Sequence, residues 1–434
     1  MRRVLAFWAI VIMAPGVASA QSTGLSSLLL RFFDPSNPFV LASTGHQAHF
    51  SSQPAAQEAL RQLNRGISTQ LSTFPLSSAS GGFTYSFDKA LGVFTRTSES
   101  FGPLFSERAL TAGKGKLNFG FNYSRATYDK FEGNNLRSGD LKLFLTHSDF
   151  NGDGDHLVAY FEGDVIRTDL FLNITAENSV FFANYGVSDR FDVGVTLPYV
   201  RVKIDARIHA TVDALSTGGD SFIAHVFPNQ TNQQDFKQGG TAQGLGDVVL
   251  RAKYHAVRGD SWGLAAAADL RIPTGDEDNL LGSGATQLKL YAIASGTGKF
   301  SPHVNVGYTV SKGGSEATGA LPDEFNYTVG FDAALGHRVT LTGDLIGRTL
   351  RKTGRIQEIQ QEWKYMRRND TTIHTTALPE LVQVEGDLNV VLASAGVRLN
   401  PFKNLLISAN ALFATGNRGL QDRFTPVVAF DYSF

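Results

Sequence analysis

Phe424-Thr425-Pro426-Val427-Val428-Ala429-Phe430-Asp431-Tyr432-Ser433-Phe434 closes the chain, and its reading decides the fold. Phe424, Pro426, Val428, Phe430, Tyr432 and Phe434 are uncharged and mostly bulky, while Arg423, Thr425, Asp431 and Ser433 are polar. Successive side chains of a strand point to opposite faces, so this segment presents one greasy face and one wet face. About ten residues of such alternation make one wall strand of a membrane barrel, with lipid outside and water inside.

The pattern recurs upstream. Leu117, Phe119, Phe121 and Tyr123 alternate with Lys116, Asn118, Asn122 and Ser124. Val248, Leu250, Ala252 and Tyr254 alternate with Asp247, Arg251, Lys253 and His255. Trp262, Leu264, Leu270 and Ile272 oppose Asp269 and Arg271, and Phe325, Tyr327, Val329 and Phe331 oppose Asn326, Thr328 and Asp332. Charges at alternate strand positions are costly unless water lies on that side, which weighs against strands buried on both faces. Between Phe191 and His209 the apolar set changes phase, which predicts a bulge near Pro198-Tyr199. The faces of Leu388 to Leu399 are not assignable from the pattern.

Twelve strands follow, at approximately 115–127, 163–187, 191–212, 245–257, 261–273, 285–296, 299–312, 324–336, 338–350, 385–399, 404–415 and 423–434. Short connections such as Ser188-Asp189-Arg190, Arg258-Gly259-Asp260 and Gly336-His337 alternate with long ones, including 128–162, 213–244 and 351–384. Outer-membrane barrels have short periplasmic turns and long outer loops, so the expected class is all-β, a transmembrane antiparallel up-and-down barrel over 115–434.

Residues 1–20 read as a cleaved signal peptide: Arg2 and Arg3, the apolar stretch Val4 to Val17, then Ala18-Ser19-Ala20. Export to the outer membrane of a Gram-negative cell is the expected localisation. Residues 21–114 read as a periplasmic or plug-like extension, partly helical, because Ala56, Leu60, Leu63, Ile67 and Leu71 recur at helical spacing between Pro54 and Pro75. Phe83 to Thr97 reads as a hairpin around Asp88-Lys89, which would make fourteen strands if it joined the wall. A formal net charge of −1 gives no electrostatic case for nucleic acid, and the absence of cysteine excludes disulfides, thiolate metal sites and cysteine nucleophiles.

Three stretches carry a resemblance: Thr111-Ala112-Gly113-Lys114-Gly115, Gly244-Leu245-Gly246-Asp247, and Arg271-Ile272-Pro273-Thr274-Gly275-Asp276 followed by Gly282-Ser283-Gly284. Together they resemble the outer-membrane transporter family named for the MetA pathway of phenol degradation, from roughly Gly81 to Phe434. The resemblance implies a barrel for uptake of small, often aromatic or hydrophobic compounds, and it implies no catalytic residues and no cofactor.

The candidate solute pathway is the inward set Asp247, Arg251, Lys253, His255, Asp269, Arg271, Gln287 and Lys289, which would line neighbouring sectors of the lumen; a generic wet lumen with structurally paired charges explains the same pattern. Asp149, Asn151, Asp153 and Asp155 fit the first half of a calcium loop, but the closing position is Tyr160, with Glu162 two residues late; an acidic outer loop is the simpler reading. Gly259-Asp260-Ser261-Trp262-Gly263 has the spacing of a nucleophile elbow but sits in a hairpin turn. Arg351, Lys352, Arg355, Lys364, Arg367 and Arg368 could pair with lipopolysaccharide phosphates. Expected partners are outer-membrane lipid and lipopolysaccharide, a small-molecule solute, and the barrel-assembly machinery through the strand ending at Phe434. A passive uptake channel is the leading functional expectation; an adhesin-like barrel binding through its loops and an outer-membrane hydrolase are the alternatives.

Overall fold

A computed structural model of the chain describes residues 24–33, 50–52, 54–73, 82–88, 93–149, 151–157, 161–218, 225–316, 318–368, 370–402 and 404–434. The expected leader, residues 1–20, lies outside these. Twelve antiparallel strands form the wall: β1 (Leu117–Tyr128), β2 (Val165–Gly186), β3 (Phe191–Asp213), β4 (Val248–Arg258), β5 (Trp262–Ile272), β6 (Ala285–Gly296), β7 (Phe300–Ser315), β8 (Glu324–Ala334), β9 (Val339–Leu350), β10 (Leu388–Phe402), β11 (Leu405–Ala414) and β12 (Thr425–Ser433). Each pairs with the next, and β12 pairs with β1 to close the ring. Each expected span overlaps one of these strands.

The outer face is greasy, as the alternation requires. Phe119, Leu250, Leu264, Leu290, Val306, Val329, Leu345 and Phe430 are exposed there. On the opposite parity of the same wall, Asn118, Lys253, Ser295, Asp332 and Asp431 are buried inside. Short turns such as 187–190, 259–261, 297–299 and 335–338 gather at one mouth, and the long connections gather at the other. We call the first mouth periplasmic, following the loop rule for this class. Tyr85–Asp88 pairs with Val93–Arg96 in a separate two-stranded sheet, so the expected hairpin exists but adds nothing to the wall.

β3 corrects the sequence reading. Its ladder with β2 runs from Gly186↔Asp192 to Val165↔Asp213 with no shift at Pro198 or Tyr199, so it has no bulge. The inward set stays on the even positions, and what changes is the medium on each side. Below Tyr199 the outward residues are Val193 and Leu197; above it they are Arg201 and Lys203, while Val200, Val202, Ile204 and Ile208 are buried inside. β2 inverts at the same level, from outward Phe181 and Tyr185 to inward Leu170, Leu172 and Ile174. Both strands leave the apolar layer there and continue outward around an apolar filling. The register irregularity lies on the facing chain: Leu245 pairs with Tyr199 but Val249 pairs with Thr196, which leaves one extra residue around Gly246-Asp247.

That apolar filling is N-terminal. Helix α1 (Pro54–Ser72) buries Leu60, Leu63, Ile67 and Leu71 in one cluster with Leu28, Phe131, Leu172, Ile204 and Ile208. Three connections expected to be loops carry strands instead. Leu141–His147 pairs with β2, and Gln233–Leu245 pairs with β3. Arg355–Arg367 and Asp370–Val384 form a hairpin, and Trp363 Nε1 of that hairpin donates to the Gly163 carbonyl at 3.0 Å. Once β2 and β3 rise above their neighbours, their edges need partners, and the first two of these segments supply them.

Candidate functional site

The inward polar side chains of the wall do not simply face water. Residues 98–112 cross the lumen near the periplasmic mouth without a regular ladder of their own, and buried backbone groups must find partners. The wall supplies them. Thr340 Oγ1 accepts from Phe101 N at 3.1 Å, Ser295 Oγ from Ala109 N at 2.9 Å, and Asp192 Oδ2 from Ala112 N at 2.9 Å. Asn305 on β7 both accepts from Glu107 N (2.8 Å) and donates to the Glu107 carbonyl (2.9 Å). Arg398 on β10 donates through Nη1 to the carbonyls of Phe101, Gly102 and Pro103 at 3.0, 3.2 and 2.9 Å, and its Nη2 pairs with Asp431. Ser106 Oγ donates to Asp344 at 2.6 Å, and His303 Nε2 meets the same carboxylate at 2.7 Å.

Above this crossing lies a chamber of about 170 Å³, floored by Phe105 and Glu107 and reaching Thr73 at the end of α1. Its walls come from the inward positions of β3 to β9. Arg251 holds Asp269 through a two-pronged pair (Nε–Oδ1 2.6 Å, Nη2–Oδ2 2.7 Å) and also pairs with Glu107. Tyr291 OH donates to Asp269 at 3.3 Å. Arg348 pairs with Glu324 and donates to the Thr73 carbonyl at 2.6 Å; Arg271 donates to the Ser72 carbonyl at 3.2 Å. Two wall arginines thus grip the carbonyl end of α1, where the helix dipole is negative and its last carbonyls lack helical partners.

Of the expected pathway residues, Arg251, Asp269, Arg271, Gln287 and Lys289 line this chamber together. Lys253 faces inward but lies lower, where its Nζ donates to Glu107 (3.3 Å) and the Arg108 carbonyl (3.2 Å). His255 is lower still, with Arg258 Nε donating to its Nδ1 at 3.3 Å. Asp247 is buried in a knot outside the chamber lining. Its carboxylate accepts from Gly275 N at 3.1 Å, Ser283 N at 2.9 Å and Ser283 Oγ at 2.6 Å. This knot joins the Gly244–Asp247 stretch to the two glycine-rich stretches that follow β5. A Cβ on Gly282 would stand 2.7 Å from Asp247 Oδ1, so the close approach requires glycine.

The sequence reading missed Glu107, Tyr291, Asn305, Glu324, Arg348 and Arg398. Carrying the inward count through β6 to β9 finds Tyr291, Asn305, Glu324 and Arg348; Arg398 lies on β10, whose faces the pattern does not assign, and Glu107 sits on no periodic element. The Asp149 to Asp155 loop is exposed and folds on itself. Asp149 accepts from Gly152 N (2.6 Å) and Gly154 N (2.8 Å), while Asp153 and Asp155 accept from Asp155 N (3.1 Å) and Leu157 N (2.9 Å). Tyr160 lies outside the described residues, and Glu162 is buried. Among the described residues no group of three or more histidines, aspartates or glutamates is placed to hold a metal ion. Ser261 sits in the turn closed by Gly259 N donating to the Trp262 carbonyl at 2.9 Å, between two wall strands. Among the basic loop residues, Arg355 pairs with Glu132 (2.9 Å) and Arg351 with Asp387 (3.3 Å).

No curated protein matches the chain. The crystal structure of an outer membrane channel from Pseudomonas putida F1 is similar at 12% identity and a TM-score of 0.43, over 76% of this chain and 99% of that one. A toluene transporter of Ralstonia pickettii is similar at 12% identity and a TM-score of 0.28, over 84% and 99%. A FadL homologue of Pseudomonas aeruginosa is similar at 13% identity and a TM-score of 0.29, over 74% and 90%. Residues 146–361, from the approach to β2 through the whole of β9, match the family described as "Putative MetA-pathway of phenol degradation".

Proposed function

We propose that this barrel is a passive outer-membrane channel for small organic solutes, aromatic or otherwise hydrophobic compounds among them. One observation carries the reading: a ring-sized chamber sits mid-lumen between two closures that are both N-terminal chain and not wall. A cavity of about 150 Å³ is enough to hold benzene, and this one is about 170 Å³. The lower closure, residues 98–112, is held by side-chain hydrogen bonds that water can replace one by one. Such a segment can leave without opening the sheet, whose ladder is continuous. The upper closure is α1. Asp247, Lys253 and His255 then act on the pathway indirectly, through the loop knot and the lower closure.

The test is uptake of radiolabelled phenol and benzyl alcohol into proteoliposomes carrying the full chain. Uptake above that of protein-free liposomes, rising further in a variant whose lower closure is weakened, supports the channel. Permeability equal to that of empty liposomes for every solute, in both proteins, overturns it.

A further inference from the structure

The charges around the chamber do not balance. Four cations line it, Arg251, Arg271, Lys289 and Arg348, against three carboxylates, Glu107, Asp269 and Glu324. Every carboxylate is already engaged: Asp269 and Glu107 by Arg251, Glu107 again by Lys253, and Glu324 by Arg348. Arg271 and Lys289 are left over, with no carboxylate within 4.0 Å of either among the described residues. Arg271 makes do with the neutral Ser72 carbonyl, and Lys289 stands over the Tyr291 ring, 4.7 Å from its centroid. Withdrawing two cations from bulk water without counter-charges is expensive, and a wall built for stability alone would pair them.

The two are also neighbours. Arg271 lies opposite Gln287, and Lys289 lies opposite Asp269, so Arg271 and Lys289 are diagonal partners across β5 and β6 on the inward face. Residues so related are about 7–8 Å apart at the backbone, within reach of one shared group for side chains of this length. Apolar surface stands close by: Phe105, Val249, Tyr291 and Ile346 line the same cavity.

We propose that the chamber is a binding site for a monocyclic aromatic carboxylate, its carboxylate held by Arg271 and Lys289 and its ring against Tyr291 and Phe105. A carboxylate supplies both cations with charge-assisted hydrogen bonds, which outcompete the neutral carbonyl that Arg271 now holds. This assignment deepens the channel reading and rests on the same chamber.

Equilibrium dialysis of the detergent-solubilised full chain against radiolabelled benzoate tests the site, with benzamide as the uncharged isostere. Saturable benzoate binding is expected, at least tenfold tighter than benzamide, and at least tenfold weaker in Lys289→Gln. Benzamide binding should fall far less than benzoate binding in that variant, because the neutral amide loses one hydrogen bond and no ion pair. Lys289 donates no side-chain hydrogen bond among the described residues, so Lys289→Gln keeps the fold; Arg271→Gln, which also loosens α1, is the second arm. Equal affinity for benzoate and benzamide, or unchanged benzoate binding in Lys289→Gln, overturns the site. The two readings fail separately. Benzoate bound but never carried into liposomes overturns the channel and upholds the site, whereas neutral rings carried with no benzoate bound overturns the site alone.

Discussion

Asn305 holds Glu107 as a strand partner would: its Oδ1 accepts from the Glu107 amide at 2.8 Å and its Nδ2 donates to the Glu107 carbonyl at 2.9 Å. One side chain thus satisfies both backbone groups of a residue that has no sheet neighbour. The grip falls where the lower closure passes beneath the chamber. It also fixes Glu107 where its carboxylate meets Arg251 and Lys253.

Asn305→Ala removes both bonds and leaves a buried amide and carbonyl unpaired, a cost of about 1–3 kcal/mol for each group left unsatisfied. Most of that cost is relieved if residues around Glu107 swing away and rehydrate. The expected outcome is a closure that opens more often with little change in global stability. Planar-bilayer recordings should show longer or more frequent open events, while the denaturant midpoint stays near the parent's. A midpoint that falls steeply with no change in conductance would assign Asn305 to the wall instead.

Arg398 is a stronger fastener. It serves three carbonyls and the Asp431 carboxylate while only 2% exposed. Arg398→Met strands a buried carboxylate, and breaking a buried pair from one side costs about 3–5 kcal/mol. Adding Asp431→Leu removes the stranded charge, so the double variant should be more stable than Arg398→Met alone. Denaturant midpoints in detergent of the two single variants and the double variant measure this directly. Equal losses in Arg398→Met and the double variant would show that the three carbonyls dominate.

The wall was legible in the sequence because lipid imposes a strict rule: every second residue between the two interfaces must be apolar. Phe424 to Phe434 obeys it, and so do Val248 to Tyr254. Where the rule ceases to apply, so does legibility. Val200 to Ile208 keep the alternation but face inward onto α1, and polarity alone cannot tell a slipped register from a changed medium. β10 was unreadable because Val390, Leu392 and Val397 spread apolar residues over both faces, which hid Arg398. The closure at 98–112 left no periodic trace, since its hydrogen bonds go to side chains scattered over six strands, β3, β4, β6, β7, β9 and β10.

The inversion at Tyr199 yields a paired test. Val195 lies on the outward side of β3 below that level, and Lys203 lies on the same side above it. Val195→Arg places a charge against hydrocarbon, worth about 2–4 kcal/mol at the midplane and less towards the interface. Lys203→Leu merely exposes a leucine to water. Folding efficiency into lipid vesicles, read by heat-modifiable gel migration, should drop for Val195→Arg and stay at the parent level for Lys203→Leu. Equal effects would move the upper edge of the apolar layer away from Tyr199.

Asp370, at the turn of the hairpin over the outer mouth, provides a proton-linked test. The Thr372 hydroxyl (2.7 Å) and amide (2.9 Å) donate to its Oδ1, and His374 Nε2 lies 2.8 Å from Oδ2. Thr372 above all, then His374, draws the Asp370 pKa down to about 2 from 3.8. A depressed carboxylate stabilises the folded turn above the ordinary value, and that contribution is lost as pH falls through about 2. The turn should therefore keep its structure at pH 4 and loosen only near the lower value. Carboxyl carbon shifts of Asp370, followed by NMR from pH 6 downward, should give a midpoint near 2 in the parent. In Thr372→Ala, which loses the hydroxyl donor and keeps the amide, the midpoint should rise towards the ordinary aspartate value. A parent midpoint already at that value would mean the turn does not hold Asp370 in this geometry.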